Sequence, residues 1–136
     1  MLRPLIFCIA LAVPGLSFAQ ERATDPEIEA VISGQMQAFR DSDVESAFDF
    51  AAPGIQSLFR TPQNFGTMVE QGYPMVWRPG QVSFGELREE AGQLWQEVLV
   101  QDSRGIVHVL DYEMREVDGA WRIGGVRILD QQGFAA

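Results

Sequence analysis

Chemistry in this 136-residue chain would have to run on very few residue types. Its single histidine is His108, its single cysteine is Cys8, and with no lysine every basic side chain is an arginine. One histidine and one cysteine do not make a zinc or iron ligand set. Asp41, Asp43 and Glu45 begin like a calcium loop, but Ser46 stands where that loop needs glycine and Ala52 where it needs a bidentate glutamate. Helix capping accounts for them better. There is no Gly-x-Ser-x-Gly elbow, no phosphate-cradling glycine loop, and no Ser/His/Asp set in a defensible chain order. No metal or other cofactor is expected.

Two groups of residues remain. Ile106, His108, Leu110, Tyr112 and Met114 alternate along one face of a strand, and that face is apolar. His108 and Tyr112 should therefore point toward a core or cavity, about 13 Å apart along the strand. His108 reads either as a proton donor inside a pocket or as a buried histidine with a structural partner. Asp111 falls on the opposite face, so a partner for His108 is expected on a neighbouring strand, from Glu97 or Arg127. The second group is Tyr73 with Trp77-Arg78-Pro79. An arginine flanked by aromatics can take a carboxylate or phosphate, and the ordinary reading beside it is a core tryptophan, an exposed arginine and a turn proline. On the binding reading, Arg78→Ala would abolish anion binding and leave the melting temperature nearly unchanged. The candidate pocket is thus Tyr73, Trp77, Arg78, His108 and Tyr112. Trp95 and Trp121 are expected to be core anchors.

The elements that must position these residues change period midway. Thr24 with Glu27, and Ser42 with Glu45, read as capping boxes. They open helices whose apolar stripes are Ile28, Val31, Ile32, Met36, Phe39 and then Val44, Ala47, Phe48, Ala51. A short helix carries Ile55, Leu58 and Phe59. Another starts at Thr61-Pro62, buries Phe65, Met68 and Val69, and ends at Gly72, because Tyr73-Pro74 cannot continue it. From there the period is 2. Met75 to Trp77 is expected to be short and extended, followed by strands over Val82–Arg88, Leu94–Gln101, Ile106–Arg115 and Ala120–Leu129, joined by Ala91-Gly92, Asp102–Gly105 and Asp118-Gly119. Gly124-Gly125 predicts a bulge. Helices first and an antiparallel meander second make an α+β domain, the helices covering one face of the sheet.

Residues 1–19 have the order of a secretory signal: Arg3, the apolar run Leu5 to Val13, the breakers Pro14-Gly15, and small residues at Ser17 and Ala19. The apolar run is about half the roughly 20 residues a spanning helix needs. Cleavage after Ala19 would leave residues 20–136 as one domain without cysteine, outside the cytoplasm, in the periplasm or secreted, and held by its core alone. Without Arg3, nine arginines face nineteen acids, a net charge of −10. That surface repels phosphate backbones and anionic lipid heads, so nucleic acid and membrane surfaces are poor partners.

Gln37-Ala38-Phe39-Arg40-Asp41, Ala47-Phe48-Asp49-Phe50-Ala51, Tyr73-Pro74-Met75-Val76-Trp77-Arg78-Pro79 and the Gly119-Ala120-Trp121-Arg122-Ile123 strand resemble a bacterial family known only as a domain of unknown function. Through the order of helices and a curved sheet, the chain also resembles the cone-shaped superfamily named after nuclear transport factor 2. That resemblance implies a cone with a mouth, and a superfamily containing isomerases, dehydratases, adaptors and subunits that only associate. Fold alone therefore does not choose a function. Superfamily isomerases set a carboxylate base opposite a tyrosine or acid, and no such set can be placed here residue by residue. The expected function is non-catalytic binding of a small apolar or anionic ligand. The alternatives are a homodimerisation module using an open sheet face with Val107, Val109, Val98 and Val100, and an isomerase- or dehydratase-like enzyme with His108 or a carboxylate as base.

Overall fold

The computed structural model describes residues 19–129, so the expected signal segment lies almost wholly outside the described residues. The order is β1 (Gln20–Arg22), α1 (Pro26–Arg40), α2 (Val44–Asp49), α3 (Pro53–Phe59), α4 (Pro62–Gly72), α5 (Pro74–Trp77), β2 (Val82–Glu90), β3 (Gln93–Gln101), β4 (Val107–Val117) and β5 (Ala120–Ile128). The strands form one antiparallel sheet in the order β1-β2-β3-β4-β5, and the helices pack on one of its faces. This is the expected α+β architecture, and it is compatible with a cone.

The helix starts lie one residue later than the capping boxes predict. Asp25, not Thr24, caps α1 by accepting from the backbone N–H of Glu27 and Ile28. Asp43, not Ser42, caps α2 by accepting from Ser46. A carboxylate is the stronger acceptor at the positive end of a helix, so where aspartate follows a hydroxyl residue it takes the cap. Met75 to Trp77 is not extended. Pro74 stops α4 and, with its φ already helical, opens the single turn α5. The three-residue β1 carries no alternation and was not foreseen. It is held at the edge of the sheet by pairing with β2 and by Arg22 on Glu89 at 2.5 Å.

The core lies between α1 and the sheet. Ile28, Ile32, Met36 and Phe39 of α1 are at most 1% exposed and meet Val98, Val100, Leu110, Tyr112 and Ile123. Phe65 of α4 is the hub of an aromatic cluster, with ring centroids 5.8 Å from Phe39, 5.5 Å from Phe48 and 5.8 Å from Phe59. By contrast α3 buries none of its residues, and Leu58 is 70% exposed. Two bulges bend the sheet, one between Phe84 and Leu87, the other where Gly124 is the extra residue opposite Glu113 and Met114. Glycine fits the second site because a Cβ at position 124 would run into the Arg115 side chain.

The sheet face away from the helices departs most from expectation. Val98 and Val100 belong to the core, at 0% exposure. Leu99, Val107 and Val109 of the central strands offer apolar surface outward beside Trp95, and Val107 is 44% exposed. Trp95 is not a core anchor. It sits on this outer face with the Arg127 guanidinium 4.0 Å over its ring. Asp111 also faces outward yet is fully buried, because Arg88 closes over it at 2.9 and 2.5 Å and Arg127 at 3.0 Å. Glu97 pairs opposite Asp111 in the ladder, and two facing carboxylates are what the two arginines offset. Burial alone would raise the Asp111 pKa, but the hydrogen bonds from Arg88 and Arg127 outweigh it and hold the carboxyl below its ordinary value.

Candidate functional site

The five candidate residues do not form one pocket. Leu110, fully buried, stands between His108 and Tyr112 on β4, and the five residues divide between two hollows. Tyr73 and Tyr112 line one, inside the domain. Trp77, Arg78 and His108 line the other, at its surface.

The interior cavity, which is partly open to solvent, measures about 50 Å³. Its walls come from α1, α3, α4 and α5, together with β4 and β5: Gln35 and Phe39 of α1, Ile55 of α3, Phe65 and Val69 of α4, Val76 of α5, Tyr112 of β4, and Ile123, Gly125 and Val126 of β5, with Ala51 and Tyr73 from the connections. Polar atoms are few. Tyr73 donates its hydroxyl to the Val126 carbonyl at 3.2 Å. The Gln35 amide, 3% exposed, donates to the Ala47 carbonyl at 3.1 Å. The Tyr112 hydroxyl has no hydrogen-bond partner, although the residue is 0% exposed. An unpaired buried hydroxyl costs about 1–3 kcal/mol, and in native structures such a group calls for a specific account. Burial, with the neighbouring Tyr73 second, pushes the Tyr112 phenol well above its ordinary pKa, so it stays protonated and able to donate. The two tyrosines are the cavity's only titratable side chains. The isomerase arrangement, with a carboxylate or imidazole base, has no counterpart in it.

The surface cleft, about 300 Å³, lies between α5 and the β3–β4 loop. His108 is on the helix-facing side of β4 as its spacing predicts, but its partner is neither Glu97 nor Arg127, which both belong to the opposite face. Its Nε2 meets Asp102 Oδ2 at 2.8 Å. Asp102 is a loop residue whose Oδ1 accepts from the backbone N–H of Arg104 at 2.9 Å and Ile106 at 3.0 Å, an Asx-type turn. The His108 bond, chiefly, lowers the Asp102 pKa from 3.8 to about 2, so the carboxylate is ionised and Nε2 carries the proton. Spacing could not reveal this pair, because Asp102 stands outside the strand repeat. Arg78 stacks on Trp77, its guanidinium 4.7 Å from the ring, and donates to the carbonyls of Phe39 and Trp77 and to Ser42 Oγ. It therefore ties the C-terminal end of α1 to α5, so Arg78→Ala will lower stability and cannot leave the melting temperature untouched. Ser103 and Arg104 complete the cleft, and neither drew attention in the sequence.

Among the described residues, no helix is long and apolar enough to cross a membrane. A profile of a family described as a domain of unknown function matches residues 21–136. No curated protein matches the chain, and no solved structure does.

Proposed function

The chain belongs to the DUF4864 family, a domain of unknown function, and from that premise we propose that it is an exported, non-catalytic domain whose interior cavity takes a small neutral ligand bearing one hydrogen-bond acceptor. The observation that carries this reading is the Tyr112 hydroxyl, fully buried, unpartnered and on the cavity wall. A ligand acceptor would satisfy it, and the apolar remainder, Phe39, Ile55, Phe65, Val69 and Val76 among them, would cover the ligand's carbon atoms. The lack of any charged side chain in the lining favours a neutral ligand. At about 50 Å³ the cavity holds only a few non-hydrogen atoms. A larger guest would have to displace α3, the helix that buries none of its own residues.

This reading ranks above the isomerase alternative because the cavity lacks a base. It ranks above homodimerisation because Val98 and Val100 have gone to the core, and the apolar residues left outward, Leu99, Val107 and Val109 with Trp95 under Arg127, sit beside the charged Arg88–Asp111–Arg127 network. Kinship with the nuclear transport factor 2-like superfamily is part of the same proposal and rests on the element order. Export rests on the arrangement of residues 1–19, and N-terminal sequencing of protein from the periplasmic fraction tests it: a chain beginning at Gln20 is the expected result.

Binding is tested by thermal shift with acetone, tetrahydrofuran and cyclopentanone on wild type and Tyr112→Phe. A rise in melting temperature confined to wild type, growing with the logarithm of probe concentration, is expected. Equal shifts in both proteins, or none in either, would remove the cavity from consideration.

A further inference from the structure

We propose that the surface cleft formed by Arg78, Ser103 and Arg104 is a second binding site, specific for a small oxyanion, a carboxylate or a phosphate. It is separate from the interior cavity, and its lining shares no residue with it.

The cleft carries unused hydrogen-bonding capacity. Arg78 spends both hydrogens of Nη1 on the Phe39 and Trp77 carbonyls and one of Nη2 on Ser42. Its Nε–H and the second Nη2 hydrogen remain free, and no carboxylate of the described residues pairs with it. Those fixed bonds hold the guanidinium over Trp77 without neutralising it, so its position is set before any ligand arrives. Arg104 is 75% exposed and forms a loose ion pair with Asp102 at 3.5 Å, longer than a good hydrogen bond, so most of its side-chain donors stay available. The Ser103 hydroxyl makes no hydrogen bond within the protein.

The one acid in the cleft, Asp102, is already committed. Its oxygens accept from two backbone N–H groups and from His108, so it offers little to an incoming cation. What the cleft presents is therefore a surplus of donors carrying net positive charge, on a chain whose formal net charge is −9. A ligand rich in acceptors and negatively charged complements it, and a planar carboxylate or a phosphate can receive the arginine donors in pairs. His108 is a positioning residue here: through Asp102 it fixes the loop that carries Ser103 and Arg104.

The test is an amide and arginine side-chain NMR titration of the domain with inorganic phosphate and, separately, with succinate, at constant ionic strength. Saturable shifts at Ser103, Arg104 and the Arg78 Nε–H are expected, and whichever probe saturates first identifies the oxyanion preferred. Arg104→Ala, which removes no bond on which the fold depends, should weaken binding about tenfold at an unchanged melting temperature. His108→Ala should weaken it with the same probe by loosening the loop. Shifts that stay linear into tens of millimolar for both probes, or saturable shifts that Arg104→Ala leaves unaltered, would overturn the assignment.

Discussion

Replacing Tyr112 by phenylalanine should make this protein more stable, and the size of the gain can be worked out from its surroundings. The residue is 0% exposed and its hydroxyl has no partner. Removing an unpaired buried hydroxyl recovers its desolvation penalty, about 1–3 kcal/mol. Against that, the cavity grows by roughly the size of one oxygen, on the order of 10–15 Å³, which costs about 0.3 kcal/mol at roughly 24 cal/mol per Å³. The ring keeps its place among Leu110, Met114 and Ile123, so no packing is lost. The expected net gain is about 1 kcal/mol, equivalent to about 4 °C for a domain of this size. Urea unfolding followed by circular dichroism measures it as a higher midpoint with an unchanged slope. A loss of 1 kcal/mol or more would refute the reasoning, because it would mean that the hydroxyl is already satisfied. A stabilising substitution at a binding residue would be an instance of the common trade between activity and stability.

Other perturbations probe the frame around the two hollows. Asp111→Asn should cost about 3 kcal/mol in urea unfolding, since it strips the carboxylate from two arginines that close over it; a cost well under 1 kcal/mol would show the network to be solvated. Because the Asp111 pKa is lowered on folding, its contribution is present above the ordinary aspartate range and fades as the pH falls through and below it. His108→Ala should return the Asp102 carboxyl from about 2 toward 3.8 in a carbon-detected NMR titration, and the stability tied to that pair in wild type should be lost as pH falls across the same window. Gly66→Ala should cost about 1–3 kcal/mol, because the new methyl would strike the Val44 side chain where α4 crosses α2; a neutral result would show that those helices can part freely.

How much of this was legible in the sequence depends on the kind of signal. The alternation His108, Leu110, Tyr112, Met114 correctly assigned the helix-facing side of β4, because a half-buried strand leaves a period-2 record; Ile106, expected on the same face, lies in the loop before β4 and is 45% exposed. Gly124-Gly125 correctly marked the bulge, where Gly124 leaves room for the Arg115 side chain that a Cβ would crowd. Alternation records the direction of a side chain and nothing of what closes over it, so Asp111 was read as facing outward with no sign that Arg88 and Arg127 bury it. Trp95 was misplaced for the opposite reason: aromatic residues favour cores, and here a guanidinium supplies the cover instead. Tyr73-Pro74 stopped one helix legibly, but proline is as suited to the first turn of a helix as to an extended segment, so α5 was missed. Tyr73, Trp77, Arg78, His108 and Tyr112 are near neighbours in sequence or share one strand face, and neither relation shows that they open onto two different hollows.

The division into two hollows with no shared lining residue has a practical corollary. Tyr112 and His108 hang from the same strand, yet a fully packed leucine lies between them and their hydrogen-bonding neighbours are disjoint. Substitutions farther apart than roughly 7–10 Å with no shared partner combine additively. The free-energy change of a double variant at positions 108 and 112 should therefore equal the sum of the two single changes, and either chamber can be re-engineered without retuning the other.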